Sequence, residues 1–295
     1  MSRPMQWDRR TVGKAAGAAI AAALATPATV GRAADAASDK PRQAKGNVKQ
    51  SLCRWCYGGI PLEKLAAEAK RIGYQSIELV TPEEFPKVRE AGLTCAMLSG
   101  ADAIDRGFNR KKNHEQLLIA LRDHIDFAAA HGLPNVICFS GNRNGMSDDE
   151  GLANCVVGLK QLVGHAEKKK VTVCMELLNS RVDHADYMCD RSAWGFELAK
   201  QVGSPRFKLL YDIYHMQIME GDVIRTIRDN QEYIGHYHTG GNPGRHEIDE
   251  TQELNYPAIM QAIVETGYQG YVGQEFIPVR DPIASLEEGF WICDV

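Results

Sequence analysis

From Ser51 to the C-terminal end, short apolar runs alternate with longer, helix-like stretches. The runs near 51–56, 75–80, 93–98, 135–139, 171–176, 207–212, 233–238 and 271–275 have the length of buried strands. Between them lie stretches such as PLEKLAAEAKRIG, EEFPKVREAG and NHEQLLIALRDHIDFAAAHG. These three close on Gly73, Gly92 and Gly132, as helix C-caps often do. Strand followed by helix, repeated along the chain, predicts an α/β protein with a parallel sheet. Eight strands are the number that closes a (β/α)8 TIM barrel instead of leaving an open sheet. No low-complexity tract divides 50–295, so one domain is expected there, close to the ~250 residues typical of such a barrel.

The first 49 residues break this pattern. Arg9-Arg10 precedes AAGAAIAAALATPA, and small residues follow around Ala33. A twin arginine, a mildly apolar core and an Ala-rich cleavage region predict a twin-arginine export signal over 1–36, and a periplasmic or secreted protein. The apolar core is shorter than the roughly 20 residues needed to span a bilayer, so no stable membrane anchor is expected. Residues 37–49 are polar and lack periodicity, and read as a linker. Formal net charge is −4 with no basic block beyond the signal, which gives nucleic-acid binding no electrostatic support. Cys138 and Cys174 sit inside strand-like runs, where cysteine behaves as a small buried hydrophobe. Cys53 and Cys56 form a lone CxxC, expected on a strand with opposed side chains, which is weak support for zinc or redox work.

Four successive runs in the second half end in an acid or a histidine: Glu176, Asp212, His238 and Glu275. A carboxylate at the tip of a buried strand is costly unless something pairs with it. Tips from four strands meet only where the strand ends converge, which in a parallel barrel is the active-site face. Two Glu, one Asp and one His form a hard donor set for a divalent metal ion, Mn²⁺ first, with Mg²⁺, Co²⁺ or Zn²⁺ as alternatives. Glu176 and Glu275 are also expected as the catalytic pair. One removes a proton next to the carbonyl of a hydroxycarbonyl compound, the other returns it, and the ion stabilises the enediolate. His215, three residues after Asp212, and Arg245, in the loop after the His238 strand, are candidates for substrate contact. Glu78, in the apolar strand SIELV, is expected to line the pocket with them. Trp55 and Tyr57 could form a stacking wall, whereas His236 reads as a deeper barrel residue.

The segments MELLN, DIYHMQ, HYHTGG, NPGRHE, ELNY and YVGQEF resemble signatures of the xylose-isomerase-like TIM barrels. The resemblance is to the branch that holds hydroxypyruvate isomerase and tagatose 3-epimerase, and covers roughly Cys53 to Glu275. It implies that Glu176, Asp212, His238 and Glu275 ligate the metal, that the two glutamates act as acid and base, and that His215 and Arg245 contact substrate. The isomerases usually carry Gln where His238 stands. The epimerases place a substrate-binding Glu where this chain has Val182, with Asp183 next.

The expected activity is therefore a metal-dependent isomerase or epimerase of a ketose or hydroxypyruvate-like compound, with a small carbohydrate or hydroxyketo substrate. Homo-oligomerisation is left open. A metal-dependent lyase or hydratase acting on keto-sugars or 3-keto-glycosides would use the same proton abstraction. A three-zinc nuclease of this fold would need further histidines, and the ends of the second and third runs have none. A carbohydrate-binding protein would have no need for two carboxylates on one ion. Replacing Arg9-Arg10 with Lys-Lys should trap the precursor in the cytoplasm on cell fractionation. Normal export of that variant would mean another route.

Overall fold

The computed structural model describes residues 43–100 and 103–295; the expected export signal lies outside them. Seven strands form its wall: β1 Lys49–Cys53, β2 Ser76–Glu78, β3 Asn135–Cys138, β4 Thr172–Glu176, β5 Phe207–Asp212, β6 Ile234–Thr239 and β7 Tyr271–Gln274. Their order is β2-β1-β7-β6-β5-β4-β3, parallel throughout. Around them run α1 Leu62–Ile72, α2 Phe85–Glu90, α3 His114–His131, α4 Asp148–Lys169, α5 Ser192–Val202, α6 Ile213–Met219, α7 Val223–Asn230, α8 Tyr256–Glu265 and α9 Pro282–Cys293.

The strands read as near-continuous apolar runs because helices cover one face and the barrel core fills the other. Every residue of β2, β3 and β4 is buried. The helices carry an apolar stripe instead. On α1, Leu62, Leu65, Ala66, Ala69 and Ile72 recur at helical spacing and are buried.

The expected strand at 93–98 forms no continuous ladder. It touches its neighbours at isolated parallel bridges, Ser76 with Thr94 and Leu98 with Val136. Backbone bonds tie its ends: Thr94 N–H donates to Gln75 and Leu98 N–H donates to Asn135. In the middle, side chains replace the ladder. Ser76 Oγ accepts from Ala96 N–H at 2.7 Å, and Asn135 Nδ2 donates to the Ala96 carbonyl at 2.8 Å. This segment fills the gap between β2 and β3 and completes the eighth stave of the barrel.

Two boundaries also shift. β1 starts and ends earlier than the expected 51–56, and Arg54–Tyr57 form a 3-10 turn. Cys56 is therefore not on a strand opposite Cys53. The turn leaves Trp55 half-exposed while Tyr57 is buried edge-on against Phe276. The eight cysteines stay as thiols, seven of them buried. No helix among the described residues is long and apolar enough to cross a membrane.

Ser76→Ala should lower stability by about 1–3 kcal/mol, because it strands the buried Ala96 N–H. Urea unfolding measures this. A loss below ~0.5 kcal/mol would show that side-chain clips do not hold the eighth stave.

Candidate active site

Glu176 and Asp212 are the last residues of β4 and β5, His238 lies near the end of β6, and Glu275 follows β7. One donor atom from each lies within 4.8 Å of the others, and all four residues are buried. The register explains this. Asp212 pairs with His238, and His238 with Gly273, so the side chains share one level of the barrel. His238 Nδ1 stands 2.9 Å from Glu275 Oε2 and 3.4 Å from Glu176 Oε1. Glu176 Oε1, Asp212 Oδ2 and His238 Nδ1 are buried with no hydrogen-bond partner. Each such atom carries a desolvation cost. Carboxylate oxygens and an imidazole nitrogen converging on one point fit a divalent cation.

Beneath this level, Glu78 Oε1 meets Nε2 of both His236 and His238 at 2.7 Å. With Nε2 of His238 engaged by Glu78, its Nδ1 is the ring nitrogen left facing the convergence point. Burial pushes the Glu78 carboxyl up, but His236 and His238 outweigh it and hold it at about 2. Cys53 Sγ lies 3.6 Å from His238 Nε2, and burial keeps its thiol well above the ordinary range. Gly273 makes room for this tier: a Cβ there would fall 2.8 Å from Glu78 Oε1 and 2.9 Å from His238. The structure thus places Glu78 under His238, fully buried and off the cavity wall, where the sequence led us to expect substrate contact. His236 is the deeper residue it was expected to be.

Above the convergence point opens a cavity of about 780 Å³, reached by Glu176, Glu275, Arg245, Asp183, His184 and Trp55 among others. Arg245 Nη2 donates to Glu275 Oε2 at 2.5 Å and stands 3.5 Å from Asp212 Oδ2. Its guanidinium lies over the rings of Trp55 and Tyr214, at 5.1 and 5.4 Å. Trp55 Nε1 donates to the other oxygen of Glu275 at 2.8 Å. Burial alone would raise the Glu275 carboxyl, but His238 and Arg245 hold it well below the usual carboxylate range. Burial raises Glu176, and Glu275 adds to the effect. It raises Asp212 further, against the pull of Arg245.

His215 is wholly buried behind Asp212 and does not reach the cavity. Its N–H donates to Asp212 Oδ1 at 3.0 Å, capping α6. The Asn179 side chain donates to its Nδ1 at 2.6 Å, and burial and Arg245 keep the ring neutral. The sequence reading gave no role to Asn179 or His184. Asp183 was noticed only as the neighbour of Val182, yet it reaches the cavity wall, held by Tyr214 OH at 2.9 Å and Asn179 Nδ2 at 2.6 Å. Val182 points to solvent at 70% exposure. The offset from the epimerase position was the one signal that could have found Asp183.

A parallel barrel with an acid-histidine centre at its strand tips defines the class of this protein. The family model of the xylose isomerase-like TIM barrel matches residues 66–291, and the chain belongs to that family. Its relatives include a putative hydroxypyruvate isomerase of Homo sapiens, 27% identical over 244 residues, covering 80% of this chain and 83% of the relative. A 2-oxo-tetronate isomerase of Cupriavidus necator is 29% identical over 240 residues, covering 76% and 90%. Two solved structures share the fold. An AP endonuclease, family 2, from Brucella melitensis has a TM-score of 0.74 at 22% identity, covering 81% of this chain and 97% of that one. The 3-keto-D-glucoside 4-epimerase YcjR from E. coli has a TM-score of 0.69 at 19% identity, covering 83% and 98%.

In EDTA-treated protein, Asp212→Asn should raise the melting temperature, and by more at pH 8 than at pH 5. A carboxyl whose pKa is raised by folding loses stability as pH climbs from its unfolded value of ~3.9 towards the folded one, and Asn escapes that loss. Scanning calorimetry at both pH values decides it. An equal or lower melting temperature at pH 8 would mean that Arg245 already compensates Asp212 in full.

Proposed function

We propose that the chain is a divalent-metal-dependent isomerase or epimerase that moves a proton between adjacent carbons of a hydroxycarbonyl substrate. The isomerase names of its relatives support the class of reaction. The observation that carries the mechanism is that Glu176 and Glu275 share the convergence point and also face the cavity, so both can touch a substrate held there.

Glu176, Asp212, His238 and Glu275 would hold the ion, and their oxygen-rich set favours Mn²⁺ or Mg²⁺. Bound there, a divalent cation would act as a Lewis acid on the substrate oxygens, easing loss of the neighbouring proton. The residues divide the proton work. Glu275, ion-paired to Arg245, is suited to accept the proton. Glu176, on the other side of the convergence point and also facing the cavity, would return it. Arg245 and Trp55 fix the Glu275 carboxylate through both oxygens. Glu78 engages Nε2 of His238, and His215 caps and orients Asp212.

In D₂O, ¹H NMR of the manganese-loaded protein should show deuterium entering the carbon next to the substrate carbonyl, with an isomeric product. Glu275→Gln should slow that exchange by on the order of 10²–10⁴-fold. Manganese content is measured on the same sample, so that metal loss is not mistaken for a lost base. Unchanged exchange in the loaded variant would remove Glu275 from the proton path. Release of an aglycone or an unsaturated sugar would assign a lyase instead.

A further inference from the structure

The cavity above the convergence point has two unlike halves. The tips of β4 to β7 and the loops after them supply Glu176, Asp183, Arg245 and Glu275. The facing wall comes from the ends of β2, β3 and β4 and the segment beyond the eighth stave. It presents Leu79, Ile104, Ile137, Phe139 and Leu178. A volume of about 780 Å³ falls in the ~300–1,000 Å³ range of pockets that enclose a drug-sized ligand. A three-carbon acid would leave most of that space, and all of the apolar wall, untouched.

Charge points the same way. Among the described lining residues, Arg245 is the one lysine or arginine, and Glu275 and Asp212 already engage it. His184 is held neutral by burial and by Arg245. Four carboxylates, Asp105, Glu176, Asp183 and Glu275, line the same space. Together with Asp212 behind them, they outnumber the positive charge even with a divalent cation counted. Arg106, Arg110 and Lys112 line an adjoining pocket that meets this one at Asp105. A substrate carboxylate would enter a negative field with no spare arginine or lysine to receive it, whereas sugar hydroxyls have acceptors in Asp183 and Glu176.

We propose that the substrate is a neutral keto-sugar bearing an apolar substituent, with its hydroxycarbonyl end at Glu176 and Glu275 and the substituent on the Leu79, Ile137 and Phe139 wall. This rests on the isomerase reading for the placement of the hydroxycarbonyl end, and departs from the relatives, whose names specify keto acids.

The test uses the manganese-loaded protein and four probes: phenyl and methyl 3-keto-β-D-glucosides, hydroxypyruvate and 2-oxo-tetronate. Binding is read by calorimetry and proton exchange by ¹H NMR in D₂O. The phenyl glycoside should bind on the order of tenfold more tightly than the methyl one, from apolar burial alone. Both should bind more tightly than either acid. Phe139→Ala should shrink the phenyl-to-methyl ratio, and the wild-type ratio stands as a test even if that variant fails to fold. A ratio of one, or an acid that binds as well as the glycosides, overturns the proposal. The binding preference without exchange on any probe would uphold it while defeating the isomerase reading.

Discussion

Three carboxylates and an imidazole buried within one small volume are the constraint around which the rest of this barrel is arranged. Burying an ionised carboxylate is expensive unless a partner compensates it, and here the chain supplies one built-in cation, Arg245. That arginine is itself nearly buried and takes a left-handed backbone conformation, φ 59°, which a non-glycine residue adopts only at a cost. Its N–H donates to Gly241 and its carbonyl accepts from Ile277, so both neighbouring loops hold the strained residue in place. The unpartnered oxygens that remain on Glu176 and Asp212 are the residual cost of a site preorganised for a positive charge.

Precision in that site comes from the tier below it. Glu78, His236, Cys53 and Gly273 are all on strands, and each limits where His238 can stand. A strand-borne supporting shell is more exact than a loop-borne one. The loops above carry further cavity-lining groups: Trp55 on its 3-10 turn, Asp183 in the β4 to α5 connection and Arg245 after β6. Strands thus hold the centre, and loops add further groups around the cavity.

Much of this was legible because a polar residue closing an apolar run is an anomaly that packing does not explain. Glu176, Asp212, His238 and Glu275 stood out that way, and the structure brings them together. Glu78 carried the same signal but stands against His238 Nε2, off the cavity lining. No run of letters encodes which side of His238 it meets. The stave at 94–98 looked like a strand because Leu93, Cys95, Met97 and Leu98 are as buried as strand residues are. What it lacks is a ladder, and its replacement by Ser76 and Asn135 depends on residues distant in sequence. Trp55 was noticed as a stacking aromatic, but its N–H bond to Glu275 joins neighbouring staves whose residues lie 220 positions apart in sequence. Asp183 lost its signal through a one-residue offset, which a loop absorbs and a strand would not.

The division of the cavity gives the two kinds of inference different footing. In the proposed reading, the chemistry falls to β4 to β7, at whose ends the acids and the histidine converge. In the proposed reading, specificity falls mainly to the cavity-lining residues of β2, β3 and the chain between them, none of which is in the ligating set. At 27–29% identity, agreement in the first half carries no information about the second. A keto acid and a keto-sugar present the same hydroxycarbonyl end to Glu176 and Glu275. They differ in what extends beyond it, and beyond it this chain offers aliphatic and aromatic carbon with no free positive charge. A carboxylate placed there would be desolvated against carbon and repelled by its neighbours, while an apolar substituent would gain from both features of the wall.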